Sequence, residues 1–279
     1  MRSINKIFNS LLLIGCGRMG KALLTGLLEK GLTADNIHIV DPNTQDLEIL
    51  SQRYSVKIYP RVEEIPEHFV PALVIMAVKP QMMNKAIVSL VKFTHLGACF
   101  LSVAAGKTIS YFENKLGNTI PIVRAMPNIA STIGRGITAY FANCNVASNQ
   151  KIQIRQLLET VGEAIEVNNE EQINAVTALS GGGPAYVFLL IETLAKAGVK
   201  SGLPEKMAMQ LARTTVIGSC ELLIRESSQE VSQLRLNVTS PGGTTAEALK
   251  ILMADLTGIQ PIFNTAIAAA TARSKILDY

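Results

Sequence analysis

The chain has 279 residues, 48% of them apolar and 17% charged, with a formal net charge of +4 at neutral pH. This much apolar material excludes a disordered chain, and the length suggests about two domains. With no Lys/Arg run, the mild positive charge gives nucleic-acid binding no support and suits small phosphates and carboxylates.

Arg2 and Lys6, followed by Leu11-Leu12-Leu13-Ile14-Gly15-Cys16, imitate a short secretory leader ending in a lipid-modified cysteine. The apolar run before Gly15 is shorter than the roughly 7–15 residues such a leader needs. A buried strand entering a glycine loop explains the same letters. Residues 21–30 read as a helix, with Leu23, Leu24, Leu27 and Leu28 on one face and Gly31 ending it. Residues 37–40 form a second strand, stopped by Asp41-Pro42-Asn43, and residues 46–54 a second helix. Residues 73–78 are a strand stopped by Lys79-Pro80, residues 82–91 a helix, and residues 99–103 another strand. Residues 120–124 and 137–141 read as two more. Strands that run continuously apolar are buried on both faces, as in a parallel sheet covered by helices. Their alternation with helices predicts a doubly wound α/β domain.

Near residues 166–169 the pattern turns wholly helical, so the chain is expected to divide into residues 1–167 and 168–279. Pro184 and Pro204 open helices, Gly198 and Gly202 separate them, another helix follows Pro241-Gly242-Gly243, and a last one runs from about Gln260 to Leu277. Residues 207–223 and 266–272 are apolar on more than one side and need burial nearly all round. A second subunit is expected to supply it; the alternative is packing against the chain's own first domain. No apolar run approaches the ~20 residues of a membrane span. Cys16, Cys99, Cys144 and Cys220 form no CxxC pair, and no His/Cys cluster has metal-ligand spacing. Reduced thiols, no metal and a cytoplasmic location are expected.

Gly15-Cys16-Gly17-Arg18-Met19-Gly20 is a G-x-G-x-x-G loop. The motif is weak alone, but here it follows a predicted strand and opens a helix, the context it requires. Gly15 permits the tight turn, Gly17 lets the backbone approach a pyrophosphate, and Gly20 lets helix and strand pack closely. Free N–H groups at the helix start then hold the phosphates of NADH or NADPH. A flavin can use the same loop, but no second feature favours one. Asp41, about 20 residues beyond the loop at the end of the second strand, can bond the ribose 2′-OH of NADH and would repel a 2′-phosphate; the alternative is that Asp41-Pro42 is only a turn. NADH is therefore expected to serve at least as well as NADPH. Lys79 and Ala104-Ala105-Gly106 end strands at the sheet's carboxyl edge, where ligands bind in such folds. Lys79 reads equally as a solvated lysine.

Two motifs stand in the helical half: Ser180-Gly181-Gly182-Gly183-Pro184-Ala185-Tyr186 and Thr239-Ser240-Pro241-Gly242-Gly243-Thr244-Thr245-Ala246-Glu247-Ala248. The second puts two glycines and two threonines at a helix N-terminus, a ready site for a carboxylate. Simple capping would need one hydroxyl. Together with I-G-C-G-R-M-G, A-V-K-P, S-V-A-A-G and R-A-M-P-N, these motifs resemble pyrroline-5-carboxylate reductase over nearly the whole chain. The resemblance implies NAD(P)H-dependent reduction of 1-pyrroline-5-carboxylate to L-proline, the last step of proline biosynthesis. It implies an N-terminal Rossmann-type doubly wound sheet followed by an all-helical substrate and dimerisation domain, with homodimers that can assemble into larger rings. Carried over by motif, Thr245 would bond the ring nitrogen of the substrate. Ser240, Gly242, Gly243 and Thr244 would bind its carboxylate. Ile14, Gly15, Cys16, Gly17, Arg18, Met19 and Gly20, with Ala77, Lys79 and Ala105, would bind the cofactor. Members often carry Ser at Gly182 and a neutral residue at Asp41, so one hydroxyl is absent here and the usual NADPH preference is put in doubt.

The residue inventory suits that chemistry. A protonated cyclic imine is already electrophilic, and hydride transfer to it needs positioning more than a strong nucleophile. His38, His68 and His95 lie in no motif, so no histidine triad is supported. A β-hydroxyacid dehydrogenase shares the glycine loop but needs a lysine in the substrate helix, where only the late Lys196 and Lys200 occur. A dinucleotide sensor without turnover would have no need of the Ser240–Thr245 turn.

Overall fold

In chain order the elements are β1 (Leu11–Ile14), α1 (Arg18–Glu29), β2 (Ile37–Val40), α2 (Glu48–Tyr54), β3 (Lys57–Tyr59), β4 (Leu73–Met76), α3 (Met83–Val88), β5 (Cys99–Ser102), α4 (Ile109–Leu116), β6 (Ile122–Met126), β7 (Gly136–Ala142), α5 (Ser148–Leu158), β8 (Gly162–Glu166) and α6 (Gln172–Val176). After a π-helical turn at Thr177–Gly181 come α7 (Gly183–Lys200), α8 (Glu205–Arg225), α9 (Val231–Asn237), α10 (Thr244–Leu252) and α11 (Ile259–Leu277). They are seen in a computed structural model that describes residues 8–277, so Arg2 and Lys6 of the leader-like stretch lie outside it. One compact unit is the chain up to Gly182 together with the stretch from Ala270 onward; the other is Gly183–Ala269.

The strands of the first unit form one sheet in the order β3-β2-β1-β4-β5-β6-β7-β8. The neighbours from β3 to β6 are parallel. β7 then runs against β6, and β8 runs parallel to β7. β1 lies between β2 and β4, so the strand order turns round beside it. That is the switch point at which such sheets open a crevice for a ligand. Alternate residues feed two separate cores. Leu11, Leu13, Ile37, Ile39 and Leu101 pack with Leu23, Leu24 and Leu27 of α1 and Leu157 and Leu158 of α5. Leu12, Ile14, Val74, Met76 and Phe100 pack on the other face with Met83 and Ile87 of α3 and Phe112 of α4. Burial on both faces is why these strands read as unbroken apolar runs.

Several boundaries differ from expectation. Helix α1 starts at Arg18, not residue 21, because Gly20 is tolerated inside its first turn. The second helix opens with a 3-10 turn at Gln45–Leu47, and α3 is shorter than residues 82–91, with 3-10 turns on either side. Two edge strands, β3 and β8, were not expected. β3 has three residues and β8 exposes Glu163, Ile165 and Glu166, so neither shows a buried pattern. Gly198 lies inside α7 and does not end it. A Cβ there would stand 3.3 Å from Ala208 Cβ, so the glycine lets α7 and α8 approach closely.

In the second unit the buried apolar residues are small: Ala195, Ala208 and Ala212. Large side chains stay exposed, including Phe188 (59%), Leu211 (52%) and Ile251 (74%). Among the described residues one helical stretch, Gln172–Lys200, is long and apolar enough to cross a membrane by length and composition alone, although it holds no unbroken apolar run of that length. Runs of apolar residues understate it because Thr, Ser and Gly interrupt them.

Candidate active site

The carboxyl ends of β1, β4 and β5 meet through backbone bonds. Ala77 N–H donates to Ile14 O at 2.8 Å, and Val103 N–H donates to Met76 O at 3.1 Å. The glycine loop leaves β1 here. Gly15 has φ +85°, and a Cβ on it would lie 2.7 Å from Val78 Cγ1. A Cβ on Gly20 would meet the carbonyl oxygen of Gly15 and stand 3.5 Å from Ala77 Cβ. The two glycines therefore let loop, α1 and the end of β4 close on one another. Gly17 caps α1 without a side chain, and a Cβ there would have nothing within 4 Å. No side chain caps the first-turn N–H groups of α1 and nothing crowds Gly17 beside them, which leaves room there for an anion.

Ile14, Gly15, Cys16 and Gly20 are buried, Met19 and Ala77 are half-buried, and Gly17, Arg18 and Lys79 are exposed. Asp41, half-buried at the end of β2, has two backbone partners. Its Oδ2 accepts from Cys16 N–H at 2.7 Å and its Oδ1 from Asn43 N–H at 2.9 Å. The carboxylate so ties the glycine loop to β2, a role not legible in the residue order. Burial first, then the Asp41 charge, pushes the Cys16 thiol up to about 12. Its sulfur is therefore a protonated filler at neutral pH.

Ala105 sits half-buried in the loop between β5 and α4. The same loop ends, at Ile109, on a contact that the sequence did not suggest. Arg124 is 2% exposed on β6, and its Nη1 donates to Glu170 Oε1 at 2.9 Å. The same oxygen accepts Ile109 N–H, the first of α4, at 2.8 Å. The one signal was a charged residue inside the apolar strand Ile122–Met126.

The Ser240–Thr245 turn belongs to the second unit. Gly242 has φ +69°, and Gly243 N–H donates to Ser240 O at 3.0 Å. A Cβ on Gly243 would stand 2.8 Å from Ser240 Oγ, so glycine keeps the turn tight. Gly243 caps α10 with no side-chain bond, which leaves the first-turn N–H groups to an outside acceptor. Ser240, Thr244 and Thr245 are exposed around that end. Among the described residues no group of three His, Cys, Asp or Glu side chains is placed to hold a metal.

A glycine cradle at the switch point of a doubly wound sheet, followed by a helical region, marks the class of Rossmann-fold NAD(P)H-dependent oxidoreductases. Residues 170–277 match a family model described as pyrroline-5-carboxylate reductase dimerisation, and residues 10–106 one described as NADP oxidoreductase coenzyme F420-dependent. A pyrroline-5-carboxylate reductase of Mycobacterium tuberculosis is 37% identical, with 95% of each chain covered. A solved reductase structure from Coxiella burnetii superposes with a TM-score of 0.89 at 33% identity, covering 97% of this chain and 98% of that one. A Plasmodium falciparum reductase solved with NADP bound gives 0.80 at 30% identity, covering 97% and 98%. The chain belongs to the pyrroline-5-carboxylate reductase family, NAD(P)H-dependent oxidoreductases that reduce 1-pyrroline-5-carboxylate to L-proline.

Proposed function

We propose that the chain carries out this reduction with two sites of its own, the glycine loop for the dinucleotide and the Ser240–Thr245 turn for the imino acid. The observation that carries the second assignment is the side-chain-free cap of α10, with Thr244 and Thr245 exposed beside open N–H groups. Gly242, Gly243, Ser240 and Thr244 bind the carboxylate through backbone and hydroxyl donors, favoured by the positive end of the helix. The Thr245 hydroxyl holds the ring nitrogen and stabilises it as it becomes an amine. The reduced dinucleotide supplies the hydride that the ring carbon accepts. Residues 14–20 hold its pyrophosphate, and Ala77, Lys79 and Ala105 flank its nicotinamide. Asp41 bonds the ribose 2′-OH, so NADH serves at least as well as NADPH.

On this reading residues 1–167 are the dinucleotide-binding domain and residues 168–279 the substrate and dimerisation domain. The exposed apolar sides of α7, α8 and α10 support a homodimer through the C-terminal helices, and dimers assemble into a larger ring. The protein works in the cytoplasm. The test is oxidation of NADH or NADPH by the purified protein on addition of 1-pyrroline-5-carboxylate, with a 3-hydroxy acid and NAD as the rival assay. Turnover of the hydroxy acid alone would overturn the assignment. So would a failure to turn over either substrate.

A further inference from the structure

The segment around residues 170–174 makes two contacts that the proposed binding residues do not use. Glu170, held by Arg124, accepts Ile109 N–H at 2.8 Å and so fixes the far end of the loop between β5 and α4. A turn further on, Asn174 Oδ1 accepts from Ser274 Oγ at 2.7 Å, and both residues are buried. Ser274 lies near the end of α11, in the stretch that belongs to the first unit. The last turn of α11 then passes over Gly106. A Cβ on Gly106 would stand 2.5 Å from the Leu277 carbonyl oxygen and 3.0 Å from its carbonyl carbon. Gly106 also has φ +67°, which other residues adopt only with strain. The loop bearing Ala105 is therefore bonded at Ile109 and packed closely under the end of α11 at Gly106, and Glu170 and Asn174 of one short segment stand behind both contacts.

We propose that Ser274 and Asn174 are positioning residues for hydride transfer. They keep the end of α11 seated on Gly106 and so fix Ala105 against the nicotinamide. The proposal rests on the assignment of Ala105 to the nicotinamide side of the cofactor. Hydride transfer is steep in geometry, so a small shift of this loop costs turnover while the distant adenosine end binds as before.

The test compares full-length wild-type protein with Ser274→Ala, Gly106→Ala and Ala105→Val. Three quantities are read: kcat for 1-pyrroline-5-carboxylate reduction, Kd for ADP-ribose by calorimetry, and Tm. ADP-ribose lacks the nicotinamide. The expected result is a threefold to tenfold fall in kcat for Ser274→Ala, a larger fall for Gly106→Ala, and an ADP-ribose Kd within twofold of wild type in both. Ala105→Val lowers kcat as well. Unchanged turnover in Ser274→Ala with lowered turnover in Ala105→Val would overturn the positioning role alone. Unchanged turnover in Ala105→Val would remove the nicotinamide assignment and the proposal with it. An ADP-ribose affinity that weakens in step with kcat and Tm would reduce Ser274 to general stability and equally overturn the proposal.

Discussion

Replacing Asp41 with asparagine separates two jobs that meet on one side chain. The carboxylate accepts Cys16 N–H at 2.7 Å and Asn43 N–H at 2.9 Å with different oxygens. An amide has one acceptor, so one of these bonds is lost and an NH2 group faces an N–H. A hydrogen bond to a charged group contributes about 1.5–3 kcal/mol. For a chain of this size that is a fall in Tm of roughly 3–5 °C. The second job is electrostatic. A carboxylate about 5 Å from a 2′-phosphate repels each unit of its charge by about 3 kcal/mol at an effective dielectric of 20, before salt screening reduces it. A net gain of about 1.4 kcal/mol for NADPH is tenfold in kcat/KM. NADH loses part of its bond to the ribose hydroxyl over the same change. The ratio of kcat/KM for NADPH over NADH should therefore rise about tenfold or more in Asp41→Asn, read from initial rates with each cofactor at fixed ionic strength. A ratio within twofold of wild type, alongside the expected fall in Tm, would refute the cofactor role and leave Asp41 as the tie between β2 and the glycine loop.

Thr245→Ala should lower kcat about 10–100-fold, the scale of a lost proton-handling group, with cofactor affinity kept; unchanged turnover would remove Thr245 from the mechanism. Gly20→Ala puts a methyl on the Gly15 carbonyl. Displacing that loop should raise KM for both cofactors about tenfold or more, and KM values equal to wild type would contradict the cradle. Burial, aided by the Lys57 and His68 charges, lowers His38 to about 4, and its ring stacks on Phe69 at 3.7 Å. The unfolded chain binds a proton at about pH 6.5, so His38 favours the fold above that pH. This contribution, about 3 kcal/mol at most by linkage, is lost as pH falls from about 6.5 through about 4. His38→Phe should flatten the acid limb of Tm against pH over that window; an unchanged limb would place the titration elsewhere.

The sheet was legible where burial is two-sided. Leu11–Ile14 and Ile37–Val40 appear within the expected bounds because every residue of both strands is buried. β3 and β8 lie at the sheet's two edges, where half-exposed residues erase the apolar run. The start of α1 was hidden because glycine normally weakens a helix, whereas Gly20 is needed there by the approach of Gly15. Asp41 could be read as an acid at a strand end, but its bond to Cys16 spans 25 residues and follows only from the crossover. The Arg124–Glu170 pair spans 46 and left one odd charge in a strand as its trace. The turn at Ser240 was legible as a helix start because glycine and hydroxyl residues crowd where one cap would suffice.

The return of the stretch from Ala270 onward to the sheet-bearing unit has a consequence for how the polypeptide can be divided. The helical unit Gly183–Ala269 is an insertion with two crossings and not a tail with one. Cutting the chain after Gly182 would strip the sheet-bearing unit of the last two turns of α11 as well as of the helices. A single fragment holding the whole first compact unit would have to join Gly182 to Ala270 by a linker.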